Sequence, residues 1–166
     1  CTRFFYSYAY RSSDDKQFVL LDVTGPDEYH ERVGNNAYTN YLVEYVANAT
    51  LEVAMMLEEA DPARLAKLSR QLGFTESESG SLQDFSEQLY LPPVHTGTAV
   101  IEQFDDYLAL EDCSLETIKG RILHPNEYLG GGNGLATTTQ ILKQADVVLM
   151  MHLFGDRFSP VEKTAN

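Results

Sequence analysis

The longest regular pattern of hydrophobic positions covers residues 36–59. Aromatic and aliphatic side chains recur there at steps of three and four: Tyr38, Tyr41, Leu42, Tyr45, Val46, Ala49, Val53, Met56 and Leu57. This spacing places them on one side of a helix, so it predicts an amphipathic helix of about 24 residues. Asn36 is of a type that favours the N-cap position.

Two further helices are predicted on either side of this segment. Residues 1–10 are rich in aromatic side chains, and Phe4, Phe5 and Tyr8 share one helical face, which we expect to pack in the core. Asp61–Pro62 supplies a capping carboxylate followed by proline at the first helical position, so a helix is expected from there to Gly73. Shorter elements are predicted elsewhere: a polar turn over 12–15, a strand over 17–23, a polar loop over 75–80, a short helix over 81–90, an extended segment over 100–104 and a helical segment over 114–120.

The last predicted helix covers about 136–154 and is apolar on nearly all sides in its second half, which predicts burial. Lys143, Gln144 and Asp146 lie within it, although charged side chains are rarely buried without a partner. Lys143 and Asp146 are spaced so that they can pair on one face. Two interpretations remain open: an exposed start to a buried helix, or polar groups that line a cavity.

The pattern as a whole predicts a mainly α protein in which residues 1–166 form part of one domain. No repeat of fixed period and no long linker is apparent. The glycine-rich stretch over 130–134 predicts a flexible loop, and it lacks the Lys and Ser/Thr spacing of a phosphate-binding P-loop.

The net charge of the chain argues against some classes of binding partner. The chain has 25 acidic and 12 basic residues, a net charge of −13, which argues against nucleic acid and against anionic membranes as partners. Cys1 and Cys113 give neither a metal-binding spacing nor a disulfide framework, so a reducing, cytoplasmic setting is expected. No apolar run approaches the ~20 residues of a spanning helix. The chain begins with Cys in a helical pattern and ends in a short polar tail, which suggests a piece of a longer protein.

Candidate chemistry is concentrated in the stretch over 24–31, Thr-Gly-Pro-Asp-Glu-Tyr-His-Glu. Asp27, Glu28, His30 and Glu31 follow a Gly-Pro turn between a predicted strand and the long helix. Titratable groups on a loop between rigid elements are common in catalytic sites. A solvated acidic turn is the plainer interpretation of these eight residues. A metal site made of the four side chains is a weaker one, because no other part of the chain completes a ligand set.

Three ordered stretches resemble a known family. The stretch over 23–31, which continues into Asn35-Asn36-Ala37-Tyr38-Thr39-Asn40, is similar to the central motif of the family 65 glycoside phosphorylases, which act on maltose, trehalose or kojibiose. The stretches over 101–107 and 140–147 are similar to two further blocks of that family, although Asp106 stands where the family often has Gly. The resemblance covers nearly the whole chain.

The resemblance implies a fold, and it implies that this chain is a fragment of a longer catalytic domain. The family's catalytic domain is an (α/α)₆ barrel of about twice this length, of which this chain would be about the middle half. The Trp-Asp motif that holds glucose would precede Cys1, and the phosphate-binding loop would follow Asn166. A homodimeric parent protein is also implied.

The chemistry implied by the resemblance is inverting phosphorolysis of an α-glucosyl disaccharide, with maltose the first expectation. Inorganic phosphate is the co-substrate and no cofactor or metal is required. Glu28 matches the family's general acid, and Lys143–Gln144 match its glucose-binding pair. His30 is expected to position sugar hydroxyls or to orient the acid, and Asp27 to bind or to orient. Asp27 and Glu31 can favour the protonated form of Glu28 by like-charge repulsion if the fold brings them close.

Two alternatives remain open at this point. A hydrolase of the same fold, similar to an acid trehalase, would differ in residues beyond Asn166. The isolated chain is expected to be inactive, at most a weak sugar binder, because half a barrel leaves apolar faces uncovered.

Overall fold

The computed structural model describes residues 1–12 and 17–166, so most of the polar turn predicted over 12–15 lies outside the described residues. The described chain is mainly helical and divides into two compact units, one of residues 1–19 and 41–90 and one of residues 20–40 and 91–166. None of its helices combines the length and apolarity needed to cross a membrane. In chain order the α-helices and strands are α1 Thr2–Tyr8, β1 Tyr10–Arg11, β2 Phe18–Val19, α2 Ala37–Ala60, α3 Pro62–Leu72, α4 Glu76–Gln88, α5 Leu115–Arg121, α6 Asp146–Leu153 and α7 Pro160–Ala165.

The long helix and its successor form as predicted. Helix α2 begins immediately after Asn36, whose side-chain oxygen accepts a hydrogen bond from the Thr39 amide at 3.0 Å. Helix α3 is capped by Asp61, which accepts from the Arg64 amide, and it ends at Gly73 in the left-handed conformation. The two caps satisfy amides that a helix N-terminus otherwise leaves unpaired.

The loop predicted over 75–80 is wrong, because helix α4 begins at Glu76. Thr75 caps the helix and accepts from the Glu78 amide at 3.1 Å. Glu76 and Glu78 then lie in the first turn, where negative charge is stabilised by the helix dipole. The polarity of this stretch therefore marks a helix start.

The last predicted helix is also too long. A 3₁₀ turn occupies Leu135–Thr138, and α6 covers only Asp146–Leu153. Lys143 and Gln144 therefore precede the helix on an irregular segment. The apolar second half is partly exposed as well, since Val148 and Leu153 are about half exposed in the described chain.

In the unit of residues 1–19 and 41–90, β1 and β2 pair antiparallel, with Tyr10 opposite Val19. The strand predicted over 17–23 is thus shorter than expected. Phe85 is fully buried and makes edge-on contacts with Phe18 and Tyr6. Phe4 is 60% exposed, so its predicted core position is wrong.

In the unit of residues 20–40 and 91–166, the predicted helical segment after Ser114 is confirmed as α5, and Ser114 caps it. Ile101 forms a bridge with Val94 inside the segment predicted to be extended. The core of this unit contains Leu20, Ile101, Phe104, Ile118, Ala136 and Met150. All the sequence-predicted site residues belong to this unit.

Candidate active site

A closed loop carries the central motif. Val23 and Val33 form an antiparallel bridge with N···O distances of 3.0 and 2.9 Å, which joins the two ends of the loop over 24–32. Asn35 follows in the left-handed region with φ 48°, and its side-chain oxygen accepts from the Leu20 amide at 3.1 Å. Asn tolerates this conformation better than most residues. The loop therefore leaves and re-enters the unit at a fixed neck.

Glu28 lies on the outer side of this loop, where its side chain is 57% exposed. Its carboxylate forms an ion pair with the Lys143 ammonium group, which is 115 residues later in the chain. The Glu28 amide donates to the side-chain oxygen of Gln144 at 3.4 Å. The predicted acid and both members of the predicted sugar-binding pair thus meet on one accessible surface.

Asp27 has the opposite environment. It is 1% exposed, and its carboxylate accepts hydrogen bonds from the Tyr29 amide at 3.1 Å and from the Lys143 amide at 3.0 Å. The same carboxylate also accepts from the His30 ring at 2.7 Å and from the Gln103 side-chain amide at 3.0 Å. Both oxygens are therefore occupied by donors of the protein itself.

His30 is 4% exposed and is held on both sides. Its Nδ1 faces Asp27, and its Nε2 lies 2.9 Å from the carbonyl oxygen of Thr139. The ring packs against Phe104 and, edge-on, against Tyr107, with centroid distances of 5.0 and 6.3 Å. Its position is fixed by polar contacts in the ring plane and by aromatic contacts on its surface.

Asp146, at the start of α6, extends the buried group. Its side chain is fully buried and accepts from the Asp27 amide at 2.8 Å and from the Asn36 side chain at 2.7 Å. Its own amide donates to the side-chain oxygen of Gln103 at 3.0 Å. Gly25 lies so close to this carboxylate that a Cβ at position 25 would come within 2.2 Å of it. Glycine, which has no Cβ, therefore allows the turn to lie close to the Asp146 carboxylate.

The pKa values follow from burial and hydrogen bonding. Burial alone would raise the pKa of Asp27, but the hydrogen bonds from His30 and from the Lys143 and Tyr29 amides outweigh it and the pKa is lowered. Burial alone would lower the pKa of His30, but its bonds to Asp27 and the Thr139 carbonyl raise it. Each partner therefore favours the charged form of the other.

Two other groups of the site have shifted pKa values. Burial raises the pKa of Asp146 to about 6, since its two accepted hydrogen bonds offset only part of the desolvation. On the surface, the hydrogen bond with Glu28 raises the pKa of Lys143. The lysine therefore stays positively charged at neutral pH.

The glycine-rich stretch supports the acid from outside. The Tyr128 hydroxyl donates to the Glu28 carbonyl oxygen at 2.8 Å. A Cβ at Gly130 would come within 2.6 Å of the same oxygen, so the loop over 130–134 packs directly on the backbone of Glu28. Tyr128 also contacts the ring of Tyr29 edge-on. The sequence had suggested only a flexible loop here.

The structure brings together all five predicted site residues, but in two layers. Glu28, Lys143 and Gln144 are accessible, whereas Asp27 and His30 are buried, and sugar contact by these two stays a prediction. Sequence reasoning did not identify the hydrogen bonds by which Asn36, Gln103, Thr139 and Asp146 hold the buried layer. It also did not identify the contacts of Tyr128 and Gly130 with the Glu28 backbone. Gln103 lies in the second family-like block, which was the available signal. Within the described ranges, no group of three or more His, Cys, Asp or Glu side chains is arranged to hold a metal ion.

Comparison with known proteins gives consistent matches. Residues 1–166 match the family described as the glycosyl hydrolase family 65 central catalytic domain. Nigerose phosphorylase of Lachnoclostridium phytofermentans is 39% identical over 158 residues, which are 95% of this chain and 21% of that protein. Kojibiose phosphorylase of Thermoanaerobacter brockii is 32% identical over 154 residues, which are 90% of this chain and 19% of that protein.

A solved structure gives the same result for the fold. A candidate kojibiose phosphorylase from the human microbiome superposes with a TM-score of 0.81 at 25% identity, over 99% of this chain and 22% of that one. The predicted fold class is confirmed: the chain is mainly helical and fits part of an (α/α)₆ barrel. The chain spans about a fifth of the length of the relatives it matches.

Proposed function

Because this chain belongs to glycosyl hydrolase family 65, as part of its central catalytic domain, we propose that the protein containing it is an inverting disaccharide phosphorylase. The family resemblance seen in the sequence is thereby confirmed. The relatives described above are phosphorylases by name, which supports the class of reaction. The observation that carries the proposal is the meeting of Glu28 with Lys143 and Gln144 on one accessible surface.

In the proposed reaction, phosphate attacks the anomeric carbon of the glucosyl unit on the face opposite the leaving sugar. The new bond joins that carbon to a phosphate oxygen, and the bond to the glycosidic oxygen breaks. Glu28 delivers its proton to the departing oxygen, and the products are β-glucose 1-phosphate and a free sugar. One carboxylic acid is sufficient, whereas an inverting hydrolase needs a second carboxylate to activate water.

Lys143 and Gln144 are proposed to bind the glucosyl unit. Both have polar groups on the same surface as Glu28, and the Lys143 ammonium group already lies against its carboxylate. A sugar hydroxyl that takes over Lys143 would release Glu28 from its cationic partner.

The disaccharide is the finer part of the proposal. Maltose was the expectation from sequence, but the two relatives named above act, by name, on nigerose and kojibiose. We therefore propose an α-linked glucosyl disaccharide as the substrate class. Maltose, nigerose, kojibiose and trehalose form the panel to test.

The test uses the full-length parent protein. Each of the four disaccharides is incubated with and without inorganic phosphate, and glucose, glucose 1-phosphate and its anomeric configuration are followed by NMR. We expect phosphate-dependent formation of the β-anomer from at least one substrate. Glucose release that ignores phosphate, with no sugar phosphate formed, would establish the hydrolase alternative instead.

Further properties belong to the same proposal. Phosphate is the second substrate, no metal or organic cofactor takes part, and the parent is a cytoplasmic homodimer. The isolated 166-residue chain is proposed to be inactive, because it spans about a fifth of its relatives. Activity after dialysis against EDTA, light scattering of the parent, and assay of the isolated chain test these points separately. Phosphorolysis by the isolated chain at the parent's rate would mean that the functional residues are misplaced.

A further inference from the structure

One buried carboxylate joins the two segments that carry the accessible site residues. Asp27 immediately precedes Glu28 in the chain, and its Oδ1 accepts from the Lys143 amide at 3.0 Å and from the Gln144 amide at 3.5 Å. The backbone of the acid and the backbone of the lysine-glutamine pair are thus tied to the same group. A displacement of Asp27 therefore changes the distance between Glu28 and Lys143.

The charge of this carboxylate is balanced by His30. One ring nitrogen faces the Asp27 carboxylate and the other faces the Thr139 carbonyl oxygen, and both of these partners only accept hydrogen bonds. Both ring nitrogens must therefore donate, and only the doubly protonated imidazolium can do so. The raised pKa of His30 agrees with this assignment. Asp27 and His30 form a buried ion pair rather than a catalytic proton relay.

Gln103 fixes the pair from a third side. Its Nε2 donates to Asp27 Oδ2 at 3.0 Å, and its Oε1 accepts from the Asp146 amide at 3.0 Å. The side chain is 2% exposed, so water cannot replace either partner. Reversal of the amide would place a donor against a donor and an acceptor against an acceptor. Gln103 therefore holds Asp27 at a set distance from the start of α6.

We propose that Asp27, balanced by His30 and supported by Gln103, is the positioning residue that aligns Glu28 with Lys143 and Gln144 for glycosidic cleavage. In this role Asp27 does not contact the sugar. The proposal rests on the function proposed above. It differs from that function in making the alignment depend on matched donors and acceptors among three buried side chains.

Because the donors and acceptors of these side chains are matched, the proposal can be tested by moving the carboxylate from position 27 to position 103. Asp27→Asn alone places an amide donor against the donor of Gln103. Gln103→Glu alone places two carboxylates side by side. In the double variant, the amide that replaces the Asp27 carboxylate can donate to the new carboxylate at position 103. That amide nitrogen takes the place of Asp27 Oδ2, so it also faces His30 Nδ1, which accepts from it when the ring is neutral and Nε2 donates to the Thr139 carbonyl. Opposed donors and acceptors are then matched again.

We expect each single variant of the parent to lower kcat by about 100-fold, the scale of a small misplacement of catalytic groups. The double variant should recover to within about tenfold of the parent, with KM little changed throughout. Asp22→Asn is the matched control, an exposed carboxylate near the neck of the same loop, and should leave kcat unchanged. A double variant no more active than the weaker single variant, with a raised KM, would assign Asp27 to sugar contact and overturn the proposal.

The thermal unfolding temperatures of the parent, the two single variants and the double variant separate this proposal from the proposed function. Recovery of the unfolding temperature in the double variant is expected because the buried hydrogen bonds are restored, whatever reaction the parent catalyses. Rates are measured on whichever substrate of the panel is cleaved, with and without phosphate. If cleavage does not depend on phosphate but the double variant recovers its rate and unfolding temperature, the proposed phosphorylase function would be overturned and the positioning role of Asp27 would be retained. Recovery of neither rate nor unfolding temperature would overturn the positioning role.

Discussion

Two acid–base pairs lie side by side in this molecule and differ chiefly in burial. Asp27 and His30 form one pair, with side chains 1% and 3% exposed. Glu28 and Lys143 form the other, with side chains 57% and 38% exposed. Neighbouring residues in the chain thus place one carboxylate in the interior and the next at the surface, since their side chains leave the loop on opposite sides.

The difference assigns different work to chemically similar pairs. A buried pair loses hydration and is retained only where hydrogen bonds satisfy all its polar atoms, so it fixes geometry. An exposed pair is weakened by water and salt, so a ligand can separate it at little cost. The surface pair is therefore suited to change partners during a reaction, and the buried pair is suited to keep them.

In the surface pair, we expect the largest loss of activity from substitution of Glu28. Glu28→Gln in the parent keeps the size of the side chain but cannot deliver a proton. We expect kcat on the natural disaccharide to fall by about 10²–10⁴-fold, the usual contribution of a general acid. With α-glucosyl fluoride, whose leaving group needs little protonation, the loss should be much smaller. Initial rates on both substrates measure this contrast.

The control for this prediction is Glu116→Gln, the same change at an exposed position in the first turn of α5, which should leave both rates unchanged. Equal losses on the two substrates for Glu28→Gln would point to a role in binding or folding. Asp27→Asn should reduce both rates alike, because it displaces the acid and the sugar-binding pair together. If Asp27→Asn alone showed the dependence on leaving group, Asp27 would be the acid.

The buried pair should control stability. His30→Ala removes the cation that balances the buried Asp27 charge and the donor to the Thr139 carbonyl, and loss of one member of such a pair typically costs about 3–5 kcal/mol of unfolding free energy. Lys143→Ala removes one member of the surface pair and should leave the urea midpoint of the parent unchanged. Urea unfolding of both variants measures the contrast. Equal midpoints would show that burial does not distinguish the pairs.

Sequence could propose residues for the candidate site, but it could not predict the division into a buried pair and an exposed pair. The periodicity of α2, the caps at Asn36 and Asp61, and the family motif around Glu28 are local signals, and each is sufficient by itself. The contacts of Gln103 and Asp146 join segments more than 40 residues apart, and no local pattern encodes which amide faces which carboxylate. The motif also gives no sign of which of its carboxylates is buried.

Local signals failed in two places where the pattern of polar and apolar residues did not reveal the backbone hydrogen bonds. The polarity of residues 75–80 predicts a loop, although Thr75 caps α4 and the helix begins at Glu76. The apolar pattern over about 136–154 predicts a single long helix, although the segment before Asp146 is held by hydrogen bonds to Asp27 rather than by helical ones. In both cases the deciding interactions involve the backbone, which composition does not reveal.

Loss of either member of the proposed sugar-binding pair, Lys143 and Gln144, should have a smaller effect than loss of Glu28. Lys143→Ala and Gln144→Ala in the parent should each lower kcat/KM by about 10- to 100-fold, as expected for loss of a hydrogen bond to a bound substrate. The urea midpoint should not change, because the Asp27 contacts of both residues use backbone amides. Lys119→Ala, an exposed lysine of α5, is the control. Unchanged kinetics for both variants would show that Lys143 and Gln144 are surface residues without a role in substrate binding.

The smallest effect is the pH dependence of the buried pair. The pKa of His30 is raised in the folded chain, so its contribution to stability is fully present below the unfolded value of about 6.5 and is lost as pH rises through the folded value. The pKa of the facing Asp27 is lowered, so its contribution is present above the unfolded value of about 3.9 and is lost only as pH falls through the lower folded value. Asp146, with a pKa of about 6, loses its contribution as pH rises from about 3.9 through that value.

We therefore compare the parent with His30→Gln, which cannot be charged, by urea unfolding between about pH 5 and pH 9, a range that spans the unfolded His value. The stability advantage of the parent should be constant near the acidic end and then decline by at most about 1.4 kcal/mol per pH unit. Lys119→Ala should show no such decline. An advantage of His30 that grows with pH would mean that the ring is neutral in the fold, which would contradict the charge assigned to the buried pair.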